Sequence, residues 1–529
     1  MNITSFIDDL QSVDSCVLSD SNQRLSGNEL ASRVINFADD LAKFNFDSGM
    51  PVLVRMSNSV EAVVAFLGAV KAGATVFIGN PYDPIDRVIQ LVEQFGIGVV
   101  FGDKATAMTI QAKLVNKYQD TSLHSFFDDH LYAYNVQQNA HALVNESGCL
   151  AKAQVAIFSS GTTGQPKAIL HSFESLIRNA EGHAKAIGLK SSDVVAGFLP
   201  IYYSYGLVAN LLSSLFSGSQ FVFQPRSASL NEQWAVDNQI SVLALTPFFG
   251  QTLNVSIPSL RLLTFGGDAL GTEAAAELQQ KFKGCELYST YGLTEAGPRV
   301  ATWRFDDKEI PAGLIVPLGE ALPHCSISLH FEGHQHVGLG ELIVTTSTKT
   351  LGYYYGPQAR GHRGYVIPDW PKNQVHTGDL FFDIDGDYYF ASRDKEMIVQ
   401  NGEKIFPPMI ESVIRSMPQV RDVRVEGKKD TVKGQIAVAY IEVNETVDAK
   451  SVRRFMLQHL PHAVVPSDFI FVEKISRSHT GKKIKQQASD LKAENTDKNL
   501  IESATGQAVL TSLDNKVVVD TSDHGIAIA

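Results

Sequence analysis

Apolar positions along the chain switch repeatedly between two periods. Residues 51–80 predict strand, helix and strand: Val63, Phe66, Leu67 and Val70 recur at helical spacing, and ATVFIG then resumes a β-rich run. The alternation returns at AQVAIF (153–158), which precedes a Gly-rich loop and an amphipathic stretch containing Leu176, Ile177 and Ile187. DVVAGFLP (193–200), QFVFQP (220–225), SVLALTP (241–247) and LRLLTFGG (260–267) are short apolar runs separated by helix-length segments. Such β–α alternation predicts an α/β protein with parallel-rich sheets covered by helices. GELIVTTS (340–347) and FFDIDGDYYF (381–390) instead predict a β-rich, antiparallel subdomain, with Asp-Gly at a hairpin turn.

After SRDKE (392–396) the pattern changes again. PPMIESVIRSM reads as a helix, VRDVRVEG and GQIAVAYIEV as strands, SVRRFMLQHL as a helix and DFIFVE as a further strand. This is an α+β unit of about a hundred residues, an ordinary domain size. The expected division is a large domain over 1–394, a small one over 395–489 and a loosely ordered extension over 490–529.

Composition narrows the classes. A chain of 529 residues exceeds one ordinary core, and 44% hydrophobic with 19% charged residues is globular. The formal charge of -12 argues against a nucleic-acid backbone as partner, while leaving room for a nucleotide held by a local loop. Cys16, Cys149, Cys285 and Cys325 lie far apart, giving no zinc or disulfide framework. The start, MNITSFIDDL, lacks the basic and apolar regions of a signal peptide, and Lys71 interrupts the most apolar stretch (60–79). No integral membrane segment is expected, and a cytoplasmic enzyme is.

Chemistry concentrates at four motifs. Ser159-Ser160-Gly161-Thr162-Thr163-Gly164-Gln165-Pro166-Lys167 follows a predicted strand; its glycines let the backbone curl, and its four hydroxyls and N–H groups suit phosphate oxygens. Pro166 stands where a P-loop needs its second glycine, so this is a different phosphate loop. Tyr291-Gly292-Leu293-Thr294-Glu295 brings a hydroxyl donor and a hard carboxylate for Mg²⁺. Asp379 in HTGDL can accept both hydroxyls of a ribose. Lys482 in SHTGK can neutralise charge as a carboxylate attacks an α-phosphate. Taken singly, Glu295, Asp379 and Lys482 would more often be solvated charges, and Lys482 sits in a run with Lys483 and Lys485 that reads as a basic tail.

In this order the motifs resemble those of the adenylate-forming superfamily: acyl- and aryl-CoA synthetases, adenylation domains of non-ribosomal peptide synthetases, and firefly-type luciferases. KAGATVFIGNPYDP (71–84), the phosphate loop, YGLTEAG (291–297), LGYYYGP (351–357), HTGDL, SRDKEMIVQNGEKIFPPMIE (392–411) and TGKKIK (480–485) extend the resemblance to about residue 486, closest in plan to a stand-alone adenylation enzyme. It implies a large amino-terminal domain, a small mobile carboxy-terminal one, and ATP with Mg²⁺. Ser159 to Gly164 with Lys167 would grip the outer phosphates, and Thr294 and Glu295 would handle phosphate and metal. Tyr291, Gly292 and Gly267 would border adenine, Asp379 and Arg393 would hold the ribose, and Lys395 would be the hinge. Lys482 would orient the carboxylate during adenylation. Ser392, Ala168 and Val399 depart from the usual residues; the last removes a common basic group near the thiol substrate.

The acid is less legible. Tyr203, Phe248 and Gly266 fall in segments that line the acyl pocket by resemblance, and their neighbourhood lacks the aspartate with which peptide-synthetase domains pair an ammonium. The aromatics disfavour a long fatty chain, which leaves a small carboxylic acid or a small amino acid of the glycine or proline kind. With no carrier segment in the chain, the thiol must come from a separate phosphopantetheinylated carrier protein, favoured by the missing basic residue, or from CoA. A catalytically silent nucleotide-binding homologue is the contrasting class, opposed by intact Glu295, Asp379 and Lys482.

Overall fold

The computed structural model describes residues 1–42, 49–114, 122–127, 131–135, 152–160, 166–225, 229–305, 314–331, 338–357, 364–400, 402–430, 433–477 and 483–486. The expected extension over 490–529 lies outside them.

The α/β reading holds. Two large sheets, each of nine strands among the described residues, stand back to back. In the first, Glu286–Tyr291, Leu262–Gly266, Val242–Leu245, Val194–Gly197, Gln220–Phe223 and Cys16–Ser19 run parallel in that order. In the second, Val155–Ser160, Thr75–Gly79, Pro51–Arg55 and Val99–Gly102 are the parallel centre. Both centres are buried on both faces, which is why their sequences are continuous apolar runs rather than alternating ones.

Helices Gly27–Ala42, Val60–Lys71 and Phe173–Ala186 fill the space between the sheets and share one apolar core with strands of each. Val60–Lys71 is capped by Ser59, whose side chain accepts from Ala62 N–H. It is buried along almost its whole length, so the most apolar stretch of the chain is a core helix. No described helix is long and apolar enough to cross a membrane.

One connection differs from expectation. The Gly-rich loop does not lead from strand to helix; an intervening strand, Pro166–His171, returns antiparallel to Val155–Ser160 before the helix begins. PKAILH has too few residues and too little alternation to separate it from the start of the amphipathic stretch.

A four-stranded antiparallel sheet follows, Cys325–His330, Leu339–Thr346, Gln374–Ile384 and Asp387–Arg393. Its last hairpin turns at Asp385 and Gly386, with φ of +54° and +88°, the left-handed pair that an Asp-Gly turn supplies. The smaller carboxy-terminal domain places helices Pro407–Arg415 and Ala449–His459 against a sheet containing Val420–Asp430, Gly434–Val443 and Asp468–Val472. It contacts the larger part where Ser412 Oγ donates to Glu273 Oε2 at 3.0 Å.

Candidate active site

The parallel strands of the two large sheets deliver two of the motifs, the Gly-rich loop and YGLTE, at their carboxyl ends, where open α/β sheets leave their crevices. Ser159 lies opposite Lys167 and Ser160 opposite Pro166, so the two ends of the Gly-rich segment are paired antiparallel. Gly161, Thr162, Thr163, Gly164 and the side chain of Ser160 lie outside the described residues. The Ser159 hydroxyl is buried and has no hydrogen-bond partner among the described residues.

Lys167 Nζ lies 3.3 Å from Glu295 Oε1 and 3.7 Å from the centre of the Tyr353 ring. The Tyr353 hydroxyl donates to the same carboxylate oxygen at 3.2 Å. Burial and then the Glu295 charge push the Tyr353 phenol well up, so it stays protonated and keeps donating. Thr294 and Glu295 occupy a single turn, Thr294–Ala296, directly after strand Glu286–Tyr291. The backbone doubles back so tightly that a Cβ on Gly292 would stand 1.9 Å from the Pro298 carbonyl oxygen. Thr294 Oγ1 is 3.0 Å from Ser204 Oγ, and its carbonyl accepts from His171 Nε2 at 2.9 Å. Burial pulls His171 down to about 4, only partly offset by that bond, so a neutral ring holds the turn in place.

The next segment is built on strand register. Asp379 and Arg393 are cross-strand partners, with Arg393 Nε 3.4 Å from Asp379 Oδ1. Tyr291 donates its hydroxyl to Asp379 Oδ2 at 2.6 Å and stands edge-on to Phe381. The expected adenine-side tyrosine is thus tied through its hydroxyl to the expected ribose carboxylate. Lys167 with Glu295 and Tyr291 with Asp379 and Arg393 form two contact groups, drawn from both large sheets and the antiparallel one. Against the lowering by burial, Glu295 is near enough to help Asp379 raise the Arg393 guanidinium.

At the far end, strand Leu262–Gly266 stops at Gly266 and Gly267, the latter at φ +85°. Of the aromatic segment, Tyr205 rather than Tyr203 lies closest: a Cβ on Gly267 would stand 4.0 Å from the Tyr205 ring. Tyr203 packs on Tyr202, with centroids 4.7 Å apart, and burial together with Asp83 pushes its phenol up to about 12. Phe248 is half-buried, and the Arg477 guanidinium of the small domain lies 3.9 Å over its ring. Sequence reasoning missed Arg299. It lies beside Gly266, where an added Cβ would come within 3.0 Å of Arg299 Nη1. The available signal was one charge inside the apolar run AGPRVAT, four positions after Glu295.

Lys395 sits exposed in a short turn, Asp394–Glu396, between the antiparallel sheet and the small domain. Lys482 lies outside the described residues. Its neighbour requires a correction: Lys483 does not belong to a solvated basic tail. Lys483 Nζ donates to Glu411 Oε2 at 2.6 Å and to the Val423 carbonyl at 2.7 Å, with Asp422 at 3.5 Å. Burial lowers its ammonium, but Glu411 and Asp422 more than offset that and hold it above the ordinary lysine range. Asp422 also pairs with Arg415 and Arg477.

A family model described as AMP-binding enzyme matches residues 9–354, and one described as AMP-binding enzyme C-terminal domain matches 409–482. A 2-succinylbenzoate–CoA ligase of Bacillus cytotoxicus is 25% identical over 472 residues, covering 87% of this chain and 92% of that protein. Among solved structures, ATP-bound MatB from Rhodopseudomonas palustris aligns with TM-score 0.75 at 22% identity, covering 91% of this chain and 97% of that one. The o-succinylbenzoate CoA synthetase MenE of Bacillus subtilis, in complex with its acyl-adenylate intermediate, aligns with TM-score 0.72 at 20% identity, covering 92% and 98%.

Proposed function

The chain belongs to the family of AMP-binding enzymes, and on that premise we propose that it joins a small carboxylic acid to coenzyme A using ATP. It is an adenylate-forming ligase. In the first half-reaction a carboxylate oxygen attacks the α-phosphorus, the bond to the bridging oxygen breaks, and pyrophosphate leaves. In the second, the thiol sulfur attacks the acyl carbon, its proton is lost, and AMP leaves.

The observation that carries this reading is the pair of neighbouring charged groups, Lys167 with Glu295 and Tyr291 with Asp379 and Arg393, near enough for Glu295 to act on Arg393. Each member suits one part of a nucleotide. Asp379, fixed by Tyr291 and Arg393, offers a carboxylate edge to the ribose hydroxyls. Lys167 and the hydroxyl of Thr294 face the phosphates. Glu295 would hold Mg²⁺: a lone carboxylate fits a small cation that takes its remaining ligands from phosphate and water. Bound there, the metal supplies charge neutralisation of the phosphate oxygens. Lys482 would orient the attacking carboxylate, and rotation about Lys395 would exchange the two half-reactions.

CoA replaces the carrier protein as the favoured acceptor. The relatives are named as CoA ligases, which supports it, whereas the carrier reading rested on Val399 alone. Arg299 beside Gly266 also speaks against an amino acid, whose ammonium it would repel. The test is ATP–pyrophosphate exchange across aryl, short aliphatic and amino acids, led by 2-succinylbenzoate, followed by AMP release with CoA or a loaded carrier. Exchange with no acid rejects the ligase reading. Acid-dependent exchange with release by the carrier and not by CoA restores the other acceptor.

A further inference from the structure

Resting on that reading, we infer that Arg299 is a specificity-determining residue and that the acid carries a second carboxylate, which pairs with it while the first is adenylated. Arg299 is 4% exposed. Its Nη1 donates to Thr290 Oγ1 at 2.9 Å and weakly to the Thr290 carbonyl at 3.4 Å, and its guanidinium lies 4.4 Å over the Tyr205 ring. Its Nε is buried with no hydrogen-bond partner. Among the described residues no carboxylate pairs with it, and its nearest aromatic neighbour, the Tyr205 phenol, is kept protonated by burial. His183, buried nearby, has neither ring nitrogen partnered and is held neutral by burial, with Arg299 adding to the effect.

A guanidinium without a counter-ion is expensive to bury, and proteins ordinarily pair it. Here the surroundings hold it in place without neutralising it. The side-chain amide of Asn179 grips the Arg299 backbone from both sides, accepting from its N–H at 2.9 Å and donating to its carbonyl at 2.8 Å. The absence of a side chain on Gly266 leaves room for Nη1 at the strand end. A cation so positioned, beside the two glycines where the acyl group is expected, is complementary to an anion that arrives with the substrate. Its planar fork suits a carboxylate in particular.

A site whose buried donors lose their partner rejects the analogue lacking it by large factors. Each diacid is therefore paired with its monomethyl ester: succinate, glutarate, phthalate and 2-succinylbenzoate, the last as its two separate monoesters. Pyrophosphate exchange on the wild-type enzyme should favour at least one diacid over its esters by about a hundredfold or more in kcat/KM. Arg299→Met removes the charge at similar volume and should collapse that preference to within about tenfold while leaving ATP affinity unchanged; Arg299→Lys should retain part of it. Equal use of diacid and ester by the wild type overturns the proposal and leaves the ligase reading intact. So does an Arg299→Met enzyme that binds ATP and keeps the diacid preference. Exchange with no acid at all rejects both. If neither variant folds, the wild-type preference decides alone.

Discussion

The two ends of the site handle charge in opposite ways. At the proposed nucleotide end each charged group has an opposite neighbour: Lys167 faces Glu295, and Asp379 faces Arg393. The first pair is partly open to solvent, its side chains 21% and 18% exposed, and in the second an exposed Arg393 (52%) covers a buried Asp379 (9%). A partly solvated pair such as Lys167–Glu295 is worth little net, so each partner can turn to an incoming phosphate or metal at small cost, while Asp379 keeps its Tyr291 bond when Arg393 moves. At the acyl end Arg299 is sealed among phenols, hydroxyls and an amide with no anion beside it. The first arrangement keeps a general machinery ready for a ligand common to the family. The second accepts a local instability that a particular ligand would relieve, the usual mark of a site selected for binding rather than for stability.

Three substitutions, one at the paired end and two in the small domain's closing segment, come in order of expected effect. Lys482→Ala should lower acyl-AMP formation on the order of a hundredfold or more, because a positioned donor to a developing anion is lost. Transfer of the acyl group from pre-made acyl-AMP to CoA should persist; loss of transfer with adenylation intact would reverse the assignment. Glu295→Gln should reduce pyrophosphate exchange about ten- to a hundredfold at ordinary Mg²⁺, with partial recovery as Mg²⁺ is raised. Because the pair it breaks is partly solvated, its melting temperature should move by no more than a few degrees; a large shift with normal exchange would make Glu295 structural.

The third separates catalysis from folding within one short run. Lys483→Ala strips the cation from Glu411 and Asp422. The full cost of breaking a buried pair is discounted here, since Arg415 and Arg477 still serve Asp422 and the Lys483 side chain is 19% exposed. The expected loss is about 2 kcal/mol in denaturant unfolding of the small domain. Lys485, which is exposed, is the neutral control for Lys482. A Lys483→Ala protein as stable as wild type would return Lys483 to the surface.

This contrast also marks what the sequence made legible. Long apolar runs and the Asp-Gly turn announced the sheets and their hairpin, since burial on both faces and positive φ leave few alternatives. The ordered motifs pointed to Lys167, Thr294, Glu295 and Asp379 through the residue types that nucleotide chemistry needs, and the family resemblance added Tyr291 and Arg393; the fold brings Lys167 to Glu295, and Tyr291 and Arg393 to Asp379. Arg299 and Tyr205 escaped because their significance is relational: one arginine in AGPRVAT says nothing until a glycine at 266 and a tyrosine from a π-helical turn, Tyr205–Leu212, are folded against it. The setting of Lys483 is hidden from the sequence for the same reason. Its carboxylate partners are 61 and 72 residues away in sequence, Asp422 and Glu411, and a lysine between lysines looks like tail until they are seen.

The smallest effect tests whether the paired end is tuned or merely neutral. Tyr291→Phe keeps the ring against Phe381 and removes only the hydroxyl that donates to Asp379 at 2.6 Å. Burial and then Asp379 raise the phenol far above its ordinary range, so the bond is donated by a neutral hydroxyl across the pH range of the assay. Asp379 keeps Arg393 and the Asp379 backbone keeps Thr377 Oγ1, so the carboxylate is not orphaned. What is lost is the constraint on which oxygen faces the ribose, about 1 kcal/mol for one hydrogen bond with a charged acceptor partly replaced by water. ATP should therefore bind roughly fivefold more weakly, with kcat at saturating ATP nearly unchanged, since the interaction is made equally before and during the reaction. A fall in kcat with normal ATP affinity would mean that Tyr291 acts on the reacting groups rather than on the fixed part of the nucleotide.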